Sequence, residues 1–250
     1  MLATRIIPTL LCRGRQLVKG KAFKSWRSVG LVAQAVRIHQ ARGVDELILL
    51  DIAASMERRG PDLELVRELT SGCFMPITVG GGVTCIKDVE DLLNAGADKV
   101  AIGSATQDMK LVESMAKRFG CQAIVVAVDY RESPYGPGAY IHNGEHGYGN
   151  AVALAVNLAN AGAGEVLLTA INREGMMAGY DTKTIKTVCD MTSVPVIAHG
   201  GCGMYEDMHA AIQAGAHAVA AGSLFQFTDS TPRGAAEYLK TKGVEVRLEV

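Results

Sequence analysis

Asp129 closes the apolar run AIVVAVD, and a carboxylate at that place can give or take a proton. The first apolar run of the chain, Ile6 to Leu11, has the same character. It opens into a basic, glycine-containing stretch, CRGRQLVKG, with no acid at its end. The other groups with chemical potential are glycines and serines. Gly80, Gly81 and Gly82 are followed by Gly103 and Ser104; later in the chain Gly200 and Gly201 are followed by Gly222 and Ser223. Glycine lets backbone N–H groups approach an anion, and a helix N-terminus behind it adds partial positive charge. Serine there caps the helix or binds a phosphate oxygen. One such cluster is equally well a tight turn; two in matching positions point to two phosphate sites.

The elements that must position these groups are strand–helix units. Apolar runs at 46–52, 76–82, 99–104, 123–129, 165–171, 195–201 and 218–223 join Ile6–Leu11 as eight strands, each followed by a helical stretch. Eight such units in 250 residues predict a single-domain (β/α)₈ TIM barrel spanning 1–250. The second half repeats the first. GVDELILLDI from Gly43 returns as GAGEVLLTAI from Gly162, PITVGGG from Pro76 as PVIAHGG from Pro195, and NAGADKVAIGSA from Asn94 as QAGAHAVAAGSL from Gln213. One offset, 119 positions, covers all three, so the barrel reads as two half-barrels. Chemistry in this fold sits at the C-terminal ends of the strands, where the two glycine clusters would face each other. A substrate with a phosphate at each end fits that arrangement.

A net charge of −1 gives no reason to expect nucleic acid as partner. No apolar run reaches about 18 residues, so no membrane span is expected. No signal-type segment is recognised, and the six cysteines form no C-x-x-C pair, which reads as reduced thiols in a cytoplasmic protein. The segment HNGEH, His142 to His146, matches a zinc-peptidase pattern, but Gly144, Gly147 and Gly149 predict a loop or hairpin tip rather than the helix zinc would need. No metal is expected.

The segments LATRIIP, LVKG, DELILLDI, TVGGG, GADKVAI, VVAVD, GAGEVLLT, GYDT and VRLE together make the whole chain resemble the cyclase subunit of imidazole glycerol phosphate synthase. The resemblance implies a two-fold-repeated barrel without metal or organic cofactor. It implies a heterodimer, with a glutaminase subunit docked at the N-terminal face to supply ammonia. The substrate would be a bis-phosphorylated ribulosyl-formimino aminoimidazole carboxamide ribotide; the products would be imidazole glycerol phosphate and an aminoimidazole carboxamide ribotide. The family's catalytic pair is two aspartates, ending strands 1 and 5.

Carried over by position, Asp129 is the strand-5 aspartate, and Lys19 the lysine of a mobile loop that closes over substrate. Asp51 ends strand 2, and Thr169 is a substrate-side threonine at the end of strand 6. Gly81, Gly82 and Ser104 fall on one phosphate site; Gly175, Gly200, Gly201 and Ser223 fall on the other. Asn143 approaches substrate from the loop after strand 5. Arg5, Glu46, Lys99 and Glu165 begin strands 1, 2, 4 and 6; the family's ring at these positions gates the ammonia route. Asp98 matches a residue of the glutaminase interface.

Four positions depart from the pattern. Leu11 stands where the strand-1 aspartate belongs, Glu174 replaces aspartate after strand 6, Gly103 replaces an asparagine and His199 a serine. Losing half of an acid–base pair removes about 10²- to 10⁴-fold of catalysis. Leu11 therefore leaves two alternatives beside the cyclase. One is a cyclase-impaired paralogue that passes ammonia to a third, nucleotide-sugar amidating synthetase in surface-polysaccharide synthesis. The other is a phosphosugar isomerase, which would have no use for the basal ring.

Overall fold

The computed structural model describes residues 3–248. Eight parallel strands form the barrel: β1 (Arg5–Arg13), β2 (Leu47–Asp51), β3 (Ile77–Gly80), β4 (Lys99–Ile102), β5 (Ile124–Arg131), β6 (Glu165–Ala170), β7 (Val196–His199) and β8 (Ala218–Ala221). Each pairs with the next in sequence, and β8 returns to β1 with Arg5 opposite Ala218 and Ile7 opposite Ala220. The expected (β/α)₈ architecture is therefore present and closed.

Alternation along each strand sorts side chains into two cores. Ile7, Ile48, Ala101, Val125, Leu167 and Ile197 fill the barrel interior. Ile6, Cys12, Leu49 and Val126 belong to the shell between barrel and helices. By the same parity Leu11 faces inward and Cys12 outward, as the sequence predicts.

The repeat extends to structural detail. Helices α2 (Leu63–Thr70) and α6 (Thr182–Met191) are both capped by aspartate, Asp62 to Leu65 N and Asp181 to Thr184 N. Helices α3 (Ile86–Asn94) and α7 (Tyr205–Gln213) each begin with an aspartate in the first turn, Asp88 and Asp207, that accepts bonds from preceding backbone N–H groups. Members of each pair are 119 positions apart.

Two features go beyond the sequence reading. The basic stretch after β1 is not a loop but a β-hairpin, Gln16–Lys21 with Lys24–Leu31, which pairs with the end of β1. The glycine-containing excursion after β5 is a second hairpin, Gly138–Ile141 with His146–Asn150. His142 and His146 lie at its turn and stack edge to face at 5.5 Å, so the helical spacing of a zinc motif is not formed.

Candidate active site

Both ends of the barrel carry charged machinery. At the N-terminal end the four strand-start residues close into a ring. Arg5 bonds Glu46 at 2.6 Å and Glu165 at 2.9 Å, while Lys99 reaches Glu46 at 3.1 Å and Glu165 at 3.2 Å. Thr78 donates to Glu46 Oε1 at 2.8 Å, so the deeply buried acid is fully engaged. Burial of two acids is compensated by two bases in one closed circuit. Asp98 is exposed beside this ring, and its carboxylate accepts the Ile77 N–H at 2.8 Å. His217, at the matching position of the second half, accepts the Val196 N–H in the same way. The side chain of Asp98 thus holds neighbouring strands together, a role the sequence did not reveal.

At the C-terminal end a cavity of about 100 Å³ opens into the barrel mouth. Leu11, Asp129, Thr169, His199, Ser104 and Asn143 all line it. Asp129, Thr169 and His199 occupy neighbouring positions on β5, β6 and β7. Burial, reinforced by nearby Glu174 and opposed by a hydrogen bond from Thr169, pushes the Asp129 carboxyl up to about 7. A carboxyl with that proton affinity holds a proton near neutrality and can deliver it. Leu11 presents only methyl groups to the same space. Cys12 offers no substitute, because it faces the outer shell and burial pushes its thiol up to about 12.

The two expected phosphate sites differ. Gly81, Gly82, Gly103 and Ser104 border the open cavity. At Gly81 the backbone has φ +113° and a Cβ would meet Asp51 O at 2.4 Å, so only glycine fits. Ser104 Oγ accepts the His142 N–H at 3.3 Å, which ties the second hairpin to this cradle. Asn143 is anchored by a 2.5 Å bond to Ile52 O.

Gly175, Gly200, Gly201 and Ser223 lie outside the cavity lining, and Gly175 packs against Gly20 of the first hairpin. There Lys19 is buried, with Nζ 3.3 Å from Thr9 O and packed against Gly222. Ala22 N donates to Glu174 O at 2.8 Å, which fastens the hairpin to the segment after β6. Burial lowers the Lys19 pKa, and Glu174 opposes that shift. The stretch that the resemblance makes a mobile loop is thus a hairpin fastened at Lys19 and Ala22.

Asp51 borders the cavity, yet its carboxylate is committed elsewhere. Oδ1 accepts Ala53 N at 3.0 Å and Ala54 N at 3.3 Å; Oδ2 pairs with Arg59 at 2.7 Å. The structure assigns it to shaping the loop after β2. Phe23 and Trp26 of the first hairpin also line the cavity, and nothing in their sequence context signalled it.

The sequence has counterparts among known proteins. The family model described as "Histidine biosynthesis protein" matches residues 5–231. The chain belongs to the histidine biosynthesis protein family. Within this family it is 44% identical over 250 residues to "Imidazole glycerol phosphate synthase subunit HisF" of Hyphomonas neptunium, covering 99% of each chain. The protein of the same name from Dictyoglomus thermophilum is 40% identical over 252 residues, covering 100% of each chain. That from Endomicrobium trichonymphae is 38% identical over 250 residues, with 99% of this chain and 96% of the relative covered. Similarity to these histidine biosynthesis proteins thus spans both ends of the barrel, the basal ring as well as the cavity.

Proposed function

We propose that this chain is the cyclase subunit of imidazole glycerol phosphate synthase. It takes ammonia and a bis-phosphorylated ribulosyl-formimino aminoimidazole carboxamide ribotide, and forms imidazole glycerol phosphate with release of the carboxamide ribotide. The observation that carries this reading is the pairing of two sites on one barrel axis. A closed Arg5–Glu46–Lys99–Glu165 ring lies at the N-terminal end, and a cavity holding Asp129 beside the Gly81–Gly82 cradle lies at the other. A phosphosugar isomerase needs the cavity but not the ring.

In this reading Asp129 is the catalytic acid. Gly81, Gly82 and Ser104 hold one phosphate; Lys19, Gly175, Gly200, Gly201 and Ser223 hold the other. Thr169 and Asn143 orient the substrate between them. Glu174 steadies Lys19 and the first hairpin. A glutaminase subunit docks on the N-terminal face around Asp98 and delivers ammonia through the ring. The paralogue reading rests on Leu11 alone, whereas the likeness to subunits that bear the cyclase name runs the length of the chain.

The test is turnover of the bis-phosphorylated substrate by the isolated chain in saturating ammonium salt, with imidazole glycerol phosphate as readout. Wild-type turnover is expected. An inactive wild type that gains activity as Leu11→Asp would instead support the ammonia-passing paralogue.

A further inference from the structure

The cyclase reading needs a second proton carrier, and β1 does not supply one. We propose that His199 fills that role, acting as the general base opposite Asp129; this rests on the cyclase reading above. Four buried side-chain polar atoms among the described residues have no hydrogen-bond partner: Thr9 Oγ1, His39 Nδ1, Thr106 Oγ1 and His199 Nε2. Of their residues, His199 alone lines the cavity that Asp129 and Leu11 share. A buried ring nitrogen without a partner is costly to keep, and a substrate proton would satisfy it.

The connections of the ring fix its chemistry. His199 Nδ1 lies 3.3 Å from Thr169 Oγ1, and Thr169 stands opposite Asp129 in the strand register. In the tautomer whose Nδ1–H donates to Thr169, Nε2 keeps a free lone pair. Three charged or titratable groups face this ring: Asp129 through Thr169, Lys19 from the first hairpin, and Glu174 from the segment after β6. Burial lowers the proton affinity of the imidazole and Lys19 lowers it further, so it starts neutral; Glu174 opposes them. Glu174 Oε2 stands 3.7 Å from Nε2, placed to stabilise the imidazolium once a proton arrives.

The step balances. Ammonia adds to the ribulosyl ketone to give a carbinolamine. On its collapse His199 Nε2 takes a proton from nitrogen, and that N–H pair becomes the second bond of C=N. The C–O bond breaks, and the hydroxyl leaves as water with the proton of the Asp129 carboxyl. The Nε2 proton then passes to water, leaving the starting Nδ1–H tautomer, and the Asp129 carboxylate takes a proton back from water, which restores the acid.

The experiment compares wild type, His199→Gln, and Leu11→Asp with and without His199→Gln, in ammonium-driven turnover across pH 5–9. Glutamine can keep a bond to Thr169 but cannot carry the proton. His199→Gln is expected to lower kcat about 10²- to 10³-fold and to remove the acid limb of the pH profile. KM for the bis-phosphorylated substrate should stay within about threefold of wild type. Adding Leu11→Asp to that variant should recover at least about tenfold, which a folding defect would not allow. A His199→Gln enzyme with wild-type kcat, or one with the acid limb intact, would overturn the role of His199 and leave the cyclase reading standing. Absence of turnover in the wild type itself would overturn both.

Discussion

The burial that raises the proton affinity of Asp129 comes at the expense of stability, and the proposed catalytic role and the stability cost separate with pH. Its carboxyl is raised from an ordinary 3.8 to about 7 in the native state. Below pH 4 both folded and unfolded chains hold the proton, and position 129 contributes no pH dependence. Between about pH 4 and 7 the unfolded chain ionises while the native one keeps its proton, so stability falls as pH rises. Above about 7 the penalty is complete. The carboxyl is only partly shielded because it lines the cavity. Water there screens the charge, and the penalty is about 1–2 kcal/mol rather than the full value of the shift. Asp129→Asn should therefore unfold at higher denaturant than wild type at pH 8 and at the same denaturant at pH 4. Its turnover should fall about 10²- to 10⁴-fold. Identical unfolding midpoints at pH 8 would mean that the carboxyl ionises freely.

The repeat makes a comparable prediction for the helices. Asp62 and Asp181 cap α2 and α6 in matching positions, yet only Asp181 has a second duty, accepting the buried Tyr130 hydroxyl at 3.1 Å. Asp62→Ala should cost about 1 kcal/mol in chemical denaturation, the usual value of an N-cap. Asp181→Ala should cost a further 1–3 kcal/mol, about the price of leaving a buried hydroxyl unpaired. Equal losses would show that the Tyr130 bond contributes nothing. The first hairpin offers a third case. A Cβ on Gly175 would sit 2.1 Å from Gly20 O, at φ +73°. Gly175→Ala should destabilise by about 1–3 kcal/mol and speed proteolysis within 16–31, because alanine must push the hairpin off its seat.

These elements also show what a sequence can and cannot display. The barrel strands were legible because each is an apolar run and the runs recur at one offset. The hairpins were not, because Lys24–Leu31 is mostly exposed and its pairing is a matter of backbone bonds. Asp129 and the glycine pairs announced themselves by type and position. The burial of Lys19 against Gly222 did not, since it joins residues 203 positions apart through a fold neither encodes alone. His199 stood out only as a departure from a serine; its meaning needed the strand register that sets it beside Thr169.

At the scale of the whole barrel, the basal ring shows how the two halves became unequal. Glu46 and Glu165 are 119 positions apart and are the same residue, but Arg5 and Lys99 correspond to Ile124 and Ala218. Each half supplies an acid, and the first half supplies both bases. A structural ring and an ammonia gate make different demands on Lys99. Lys99→Met leaves the buried Glu46 and the partly buried Glu165 with Arg5 as their one basic partner in the ring, which should cost about 3 kcal/mol. The reacting atoms lie at the other end of the barrel, so ammonium-driven turnover of the folded variant should stay near the wild-type rate. With the glutaminase partner and glutamine as the source, the proposed gate has ammonia enter through the altered ring. The ratio of glutamine-driven to ammonium-driven turnover should then shift by about tenfold, the equivalent of 1.4 kcal/mol in a barrier. An unchanged ratio, with stability lowered as expected, would leave the ring as a brace for the strand ends and require ammonia to reach Asp129 by another path.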